Sequence, residues 1–266
     1  MPLAYYSRAA TQEFWAEHWG GEDVAGLVEI ARASPLTSII ETALPPRGRV
    51  LEAGCGLGPY VILLRERGHA VTGADWSADA LRRCRAAVPA TPVAAMDLKA
   101  LAVKSGALDA YVSLGVVEHD PGGPGAIVAE AARALAPGGR LLLSVPYWNG
   151  VRALCTPHLV REGRRVRAAG GQFYQFAFSR REVRYFLEAQ GFRVLSFHPY
   201  DPARMPRKLL KRLVAGRRRG DGRASMGPGR ASPPGSLPRG VLKRLLYSDV
   251  SLRLFAHMIL AVAIRK

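Results

Sequence analysis

Apolar positions in the middle of the chain come in short blocks of five to eight residues, each followed by a stretch in which they recur every three or four. Blocks of the first kind predict strands at Arg49–Ala53, Ala70–Asp75, Val93–Asp97, Leu108–Gly115 and Arg140–Pro146. Helical stretches fall between most of them, which is the pattern of β-α units and a parallel sheet. Pro59 suits a first helical position, and Gly68 in R-E-R-G-H ends that helix. Ser77 is placed to cap the helix carrying Ala80, Leu81 and Cys84, and Pro137-Gly138-Gly139 ends a later helix. Ser179-Arg180-Arg181-Glu182 reads as a capping box, followed by a sixth strand at Phe192–Tyr200 and a seventh at His257–Arg265. No internal repeat interrupts the order.

The chain has 266 residues and 48% hydrophobic content, enough for one sizeable core with attachments. No apolar h-region follows the start MPLAYYSRAATQEFWAEHW, so no secretory signal is read there. The run Met258–Ile264 is too short to span a bilayer as a helix. Cys55, Cys84 and Cys155 form no C-x-x-C pair, which argues against a disulfide framework and a structural zinc, and fits a reducing cytoplasm. The net charge is +17, but its distribution is uneven: residues 204–244 hold thirteen Lys/Arg against the single acid Asp221, or +12. The ends of this region, RKLLKRLV and VLKRLLY, place leucines at helical spacing, whereas 216–240 is rich in Gly, Pro, Ser and Arg and reads as a connector without a packed core.

The stretch VLEAGCGLGPY, residues 50–60, brings chemistry into this frame. Gly54, Gly56 and Gly58 permit a sharp strand-to-helix turn and close approach of a ligand to the backbone. The helix opening at Pro59 points free N–H groups and its positive dipole end at the same spot. A nucleoside triphosphate loop requires a lysine after the glycines, and none is present. The dinucleotide fingerprint requires a sixth-place glycine, where G-C-G-L-G-P has Pro59, so a nicotinamide dinucleotide fits less well.

The remaining pattern, E-x-G-x-G-x-G from Glu52 to Gly58, resembles motif I of the class I S-adenosylmethionine-dependent methyltransferases. The likeness extends to Asp75-Trp76 after the second strand, Asp97-Leu98 after the third, SLGVVEHDP at 113–121 and LAPGGRLLLSVP at 135–146. The resemblance implies a doubly wound, Rossmann-like α/β fold with a seven-stranded, mostly parallel sheet, one antiparallel edge strand and helices on both faces. It also implies S-adenosyl-L-methionine as cofactor, held by Glu52, Gly54, Gly56, Gly58, Asp75, Trp76, Asp97, Leu98 and Gly115. Asp75 would accept the ribose hydroxyls, Trp76 would pack on the adenine face, and Asp97 with the Leu98 N–H would hold the adenine amino group. His119 stands where an acceptor should lie and is the candidate base for a hydroxyl. Tyr5, Tyr6, Trp15 and Trp19 form a candidate lid, and Tyr147, Trp148, Phe173, Tyr174 and Phe176 a candidate acceptor lining. The competing reading of these aromatics is plain packing.

These features give a division into a methyltransferase core with an N-terminal lid at 1–202, a basic insertion at 203–250 and a final strand at 251–266. The expected activity is cytoplasmic methyl transfer, with oxygen favoured, to a small-molecule or lipid-linked acceptor, in the manner of ubiquinone-biosynthesis O-methyltransferases. The insertion reads as a solvated surface segment or as a peripheral contact with an anionic membrane. Nucleic acid is disfavoured, because 201–246 has no Phe, Tyr or Trp to stack on bases. The signature of amino-directed DNA methyltransferases is also absent from its place after strand four, where Gly115–His119 stand instead. An RNA methyltransferase and a non-catalytic cofactor-binding protein are the alternatives.

Overall fold

A computed structural model describes residues 2–202 and 245–266. The expected helices and connector within 203–244 lie outside the described residues. Nine strands are described: β1 (Leu3–Ser7), β2 (Arg49–Ala53), β3 (Ala70–Asp75), β4 (Val93–Ala95), β5 (Leu108–Leu114), β6 (Leu135–Pro146), β7 (Gln172–Ala177), β8 (Phe192–Tyr200) and β9 (Met258–Arg265). The helices are α1 (Gln12–Gly20), α2 (Val24–Ala33), α3 (Pro35–Ala43), α4 (Pro59–Glu66), α5 (Ala78–Ala87), α6 (Gly125–Ala134), α7 (Gly150–Leu154), α8 (Thr156–Ala168), α9 (Arg180–Ala189) and α10 (Asp249–Phe255).

Seven strands form one sheet in the order β4-β3-β2-β5-β6-β9-β8. The pairs from β4 to β6 are parallel, and β9 runs antiparallel to both β6 and β8. Helices cover both faces, so the central strands are mostly apolar; Val50, Leu51 and Ala53 of β2 are all buried. One core layer is built on α2 to α5, with Ile40, Val61 and Leu81, and the other on α6 and α9, with Val128, Val183 and Leu187. The strand order turns back between β2 and β5, and open α/β sheets bind ligands in the crevice that this reversal creates.

Local signals fix several boundaries where the sequence put them. The Ser77 hydroxyl caps α5 at the Ala80 N–H, and Ser179 with Glu182 forms the full capping box of α9. Others differ. The helix before Pro137 stops at Ala134, and β6 starts at Leu135, since Leu135 pairs in register with Leu108. The antiparallel strand, expected at an edge, lies one place in, with β8 outermost. Its apolar run Ile259–Ala263 explains this: a strand buried on both faces needs partners on both sides. Helix α10 spans the expected insertion boundary at 250. A second, two-stranded sheet pairs β1 with β7, from Leu3 opposite Ala177 to Ser7 opposite Gln172.

Candidate functional site

A cavity of about 420 Å³ opens at the carboxyl ends of β2, β3 and β5. Eight of the ten site residues named from the sequence line it: Glu52, Gly54, Asp75, Trp76, Asp97, Leu98, Gly115 and His119. Gly56 and Gly58 are not among its lining residues. All three loop glycines have positive φ, +77°, +53° and +71° for Gly54, Gly56 and Gly58. Each also faces a neighbour where a side chain would stand. A Cβ on Gly54 would strike Val116, one on Gly56 would lie 2.7 Å from the Trp19 ring, and one on Gly58 would lie 2.8 Å from Cys84 Sγ. The bare backbone is therefore required by packing as well as by conformation.

Asp75 braces this turn. Its Oδ2 accepts the Gly56 N–H at 2.8 Å and its Oδ1 accepts the Ser77 N–H at 2.8 Å. The Trp76 N–H contributes as well, and since a carboxylate offers about four acceptor sites, this one can hold the loop and a further donor together. Burial raises the Asp75 pKa, opposed by these backbone bonds. Glu52 is buried at the cavity floor, and its Oε2 has no hydrogen-bond partner. Burial, reinforced by the nearby Asp75 charge, raises its pKa to about 8. An orphaned acid of this kind fits a ligand that brings a hydrogen-bond donor or a positive charge. Trp76 sits at the rim, nearly half exposed, with its carbonyl 3.4 Å from Gln12 Nε2. Asp97 Oδ1 accepts the Lys99 N–H at 2.9 Å, which fixes the Leu98 peptide between them. The glycine cradle, the paired acids and the helix end at Pro59 thus fit a nucleoside with a cationic tail.

His119 ends a 3₁₀ turn, Val117–His119, that follows β5. Its Nδ1 lies 2.8 Å from the Tyr174 carbonyl oxygen, which can only accept, so Nδ1 carries the proton and Nε2 is bare. Burial lowers the His119 pKa, so the ring is neutral at neutral pH. The ring is packed edge-on by Trp15 and Tyr174, with centroids 5.1 and 5.0 Å away. Glu118 is buried beside it, with Oε1 4.0 Å from His119 Nε2. Desolvation raises the Glu118 pKa to about 8.

A second, more open cavity of about 440 Å³ adjoins the first, and Ala10, Trp76, His119 and Pro121 line both. Of the candidate lid residues, Trp15 and Trp19 line the inner cavity; Tyr5 and Tyr6 lie in the β1–β7 ribbon and do not. Of the candidate acceptor residues, Phe173 lines the outer cavity and Tyr174 holds His119, while Tyr147, Trp148 and Phe176 line neither. Tyr60 and the pair Lys99–Asp120, with 2.7 Å between Nζ and Oδ2, also line the inner cavity. The sequence reading passed over them. Tyr60 directly follows Pro59 in the first turn of α4, a signal that was available.

Residues 51–143 match the family model described as a methyltransferase domain. The chain is 33% identical over 128 residues to the tRNA (carboxymethyluridine(34)-5-O)-methyltransferase ALKBH8 of Macaca fascicularis, covering 47% of this chain and 19% of that protein. It is 33% identical over 97 residues to a probable S-adenosylmethionine-dependent methyltransferase of Mycolicibacterium smegmatis, covering 36% of this chain and 37% of that one. The aligned part is thus well under half the length of either relative. A solved S-adenosylmethionine-dependent methyltransferase from Archaeoglobus fulgidus superposes with a TM-score of 0.58 at 15% identity, over 95% of this chain and 99% of that one, which shows a shared fold. The glycine turn, the strand-end acids and the turn after β5 all fall inside residues 51–143, and this segment is a methyltransferase domain similar to that of a relative described as dependent on S-adenosylmethionine.

Proposed function

We propose that this protein transfers a methyl group from S-adenosyl-L-methionine to a hydroxyl of a small-molecule or lipid-linked acceptor, with His119 as the base. The observation that supports the reading is the fixed tautomer of His119, which leaves Nε2 unprotonated on a residue that lines both cavities. When bound in the inner cavity, the cofactor supplies a sulfonium methyl that leaves to an in-line nucleophile, the C–S electron pair remaining on sulfur. Gly54, Asp75, Asp97 and the Leu98 N–H hold the nucleoside, and Glu52 faces the positive charge. Trp15 and Trp19 keep water out. His119 Nε2 takes the hydroxyl proton as the new C–O bond forms, and the Tyr174 carbonyl steadies the imidazolium at Nδ1.

Two observations favour an uncharged or cationic acceptor. Phe173, Trp76 and Pro121 give the outer cavity apolar walls. The charged side chains lining the two cavities, His119 and the protonated Glu52 aside, are Glu13, Asp75, Asp97 and Asp120 against Lys99, and Lys99 is paired to Asp120. A polyanion would meet repulsion at this mouth. The second reading, an RNA acceptor, is favoured by the likeness to a tRNA methyltransferase and by the net charge of +17, most of which lies in 204–244.

The test is to feed isotopically labelled methionine to cells with and without the protein and to search small molecules, lipids and RNA for methyl groups that depend on it. A labelled lipid or small molecule with an O-methyl group is expected. His119→Ala should abolish the label at least about a hundredfold while the purified variant binds S-adenosylhomocysteine as the parent does. Label found only in RNA, or undiminished in the variant, overturns the reading.

A further inference from the structure

Helices α7 and α10 lie side by side at the carboxyl edge of the sheet. Helix α7 starts just beyond the end of β6, and β9 runs back antiparallel with Met258 opposite Pro146, so α10, ahead of β9, sits at that same edge. The two helices are locked together. A Cβ on Gly150 would lie 2.7 Å from Leu254 Cδ2, Asn149 Nδ2 donates to the Ala256 carbonyl at 2.8 Å, and the Arg152 guanidinium lies 2.8 Å from His257 Nδ1.

The outward side of this locked pair is apolar. Leu154 is 82% exposed and Val250 is 68% exposed. Leu154 lies one turn on from Gly150, on the same side of α7. Val250 and Leu254 stand four residues apart in α10, Tyr247 precedes the N-cap Ser248, and all three are exposed. Isolated exposed leucines need no explanation, but a held cluster of this kind on one edge does.

Helix α8 follows α7 directly, packs against it and brings a different chemistry beside it. Its inner side, at Gly163, rests against Tyr6 and Ala4 of β1. Its exposed side carries Arg161, Arg164 and Arg165, and the helix contains one acid, Glu162, 3.9 Å from Arg165. Apolar side chains flanked by arginines match the two parts of an anionic bilayer surface, where the first enter the acyl boundary and the second meet lipid phosphates. The +12 carried by residues 204–244, the sequence that leads into Leu245, is of the same sign.

We infer that the α7–α8–α10 face docks this protein on an anionic lipid bilayer. The face shares the sheet edge that bears both cavities, so docking brings the mouth beside His119 toward the lipid. That orientation selects the lipid-linked class of acceptor from those proposed above; in this respect the inference rests on the methyl-transfer reading, whereas the docking itself does not.

Flotation of the full chain with vesicles of phosphatidylcholine alone, and of phosphatidylcholine with phosphatidylglycerol, at physiological salt tests the inference. The chain is expected to float with the phosphatidylglycerol vesicles only. The double variant Val250→Asp/Leu254→Asp should bind at least about tenfold more weakly, because each substitution removes an apolar side chain from the lipid and adds a negative charge. Leu154→Ser, a milder change, should move the same way, and both should bind S-adenosylhomocysteine like the parent. Parental flotation of these variants would mean that charge alone attracts the chain, and the face would be discarded. Dimerisation that the same variants abolish would give the face to a second copy, and RNA outcompeting the vesicles for the arginines would give it to nucleic acid; either overturns the inference. A parent that floats yet binds no S-adenosylhomocysteine would instead sink the methyl-transfer reading.

Discussion

Replacing Gly56 with alanine probes how the N-terminal helix is seated on the cofactor loop. The residue has φ +53°, a conformation that costs an L-residue about 1–2 kcal/mol. The added Cβ would lie 2.7 Å from Trp19 Cζ2 and 2.9 Å from Cε2. Ordinary carbon contacts begin near about 3.5 Å, so the indole must retreat by roughly 0.8 Å, and overpacking of this size costs a further 1–3 kcal/mol or so. The total is about 2–5 kcal/mol. Trp19 cannot move alone, because Arg83 donates to its carbonyl and to that of Glu22 and so ties the end of α1 to α5. Gly68→Ala provides the comparison, since Gly68 has φ +89° but open space around its missing Cβ, and should cost only the backbone part. In a Trp19→Ala background, Gly56→Ala should likewise fall to about 1–2 kcal/mol, a coupling of about 1–3 kcal/mol between the two positions. Urea unfolding measures the cycle, and calorimetry with S-adenosylhomocysteine should show weaker binding by Gly56→Ala. An equal cost of Gly56→Ala with and without the indole would refute the idea that Trp19 rests on this loop.

Three further outcomes follow from the buried acids. Asp75→Ala frees the Gly56 and Ser77 N–H groups and should cost about 2–4 kcal/mol in urea unfolding, with a large loss of S-adenosylhomocysteine binding; Asp75→Asn, which keeps an acceptor, should recover part of the stability. A cationic ligand favours the ionised form of Glu52 and draws its pKa down from about 8, so S-adenosylmethionine should release a proton on binding near pH 7 and bind more tightly as pH rises toward 8. Calorimetry in buffers of different ionisation enthalpy detects that proton, and Glu52→Gln should not release it. Glu118 holds its proton to about pH 8 in the fold but only to about 4.5 when unfolded. The folded state therefore binds more protons between those values, and this contribution to stability is present below 4.5 and lost as pH rises through 8. Glu118→Gln should accordingly gain on the parent in melting temperature between about pH 5 and pH 9.

The parts of the site nearest the β-α units were legible because each is fixed locally: the acids stand at strand ends, the glycines at a turn, and Ser77, Ser179 and Glu182 at helix starts. What escaped notice depends on distant pairing. The β1–β7 ribbon joins Leu3 to Ala177 across most of the chain, and nothing near Tyr5 and Tyr6 announces a partner. This ribbon carries Tyr174, whose backbone carbonyl, a group common to every residue type, sets the His119 tautomer. Asp75 read as a ligand-binding acid, and its bond to the Gly56 N–H follows only from the curl of the loop toward the end of β3. The place of β9 was hidden for a related reason. Its apolar run announces a buried strand, but the neighbour is chosen by the order in which strands fill the sheet.

That order bears on how the molecule matures. β8 is synthesised before the strand that joins it to β6, and the slot between them stays vacant while the 57 residues from 201 to 257 are made. Until β9 slides in, two long backbone edges lie open, each able to zip onto another nascent copy. Residues 204–244 give every nascent copy the same sign of charge, +12, in this interval, so replacing their arginines with neutral residues should raise the tendency to aggregate during synthesis.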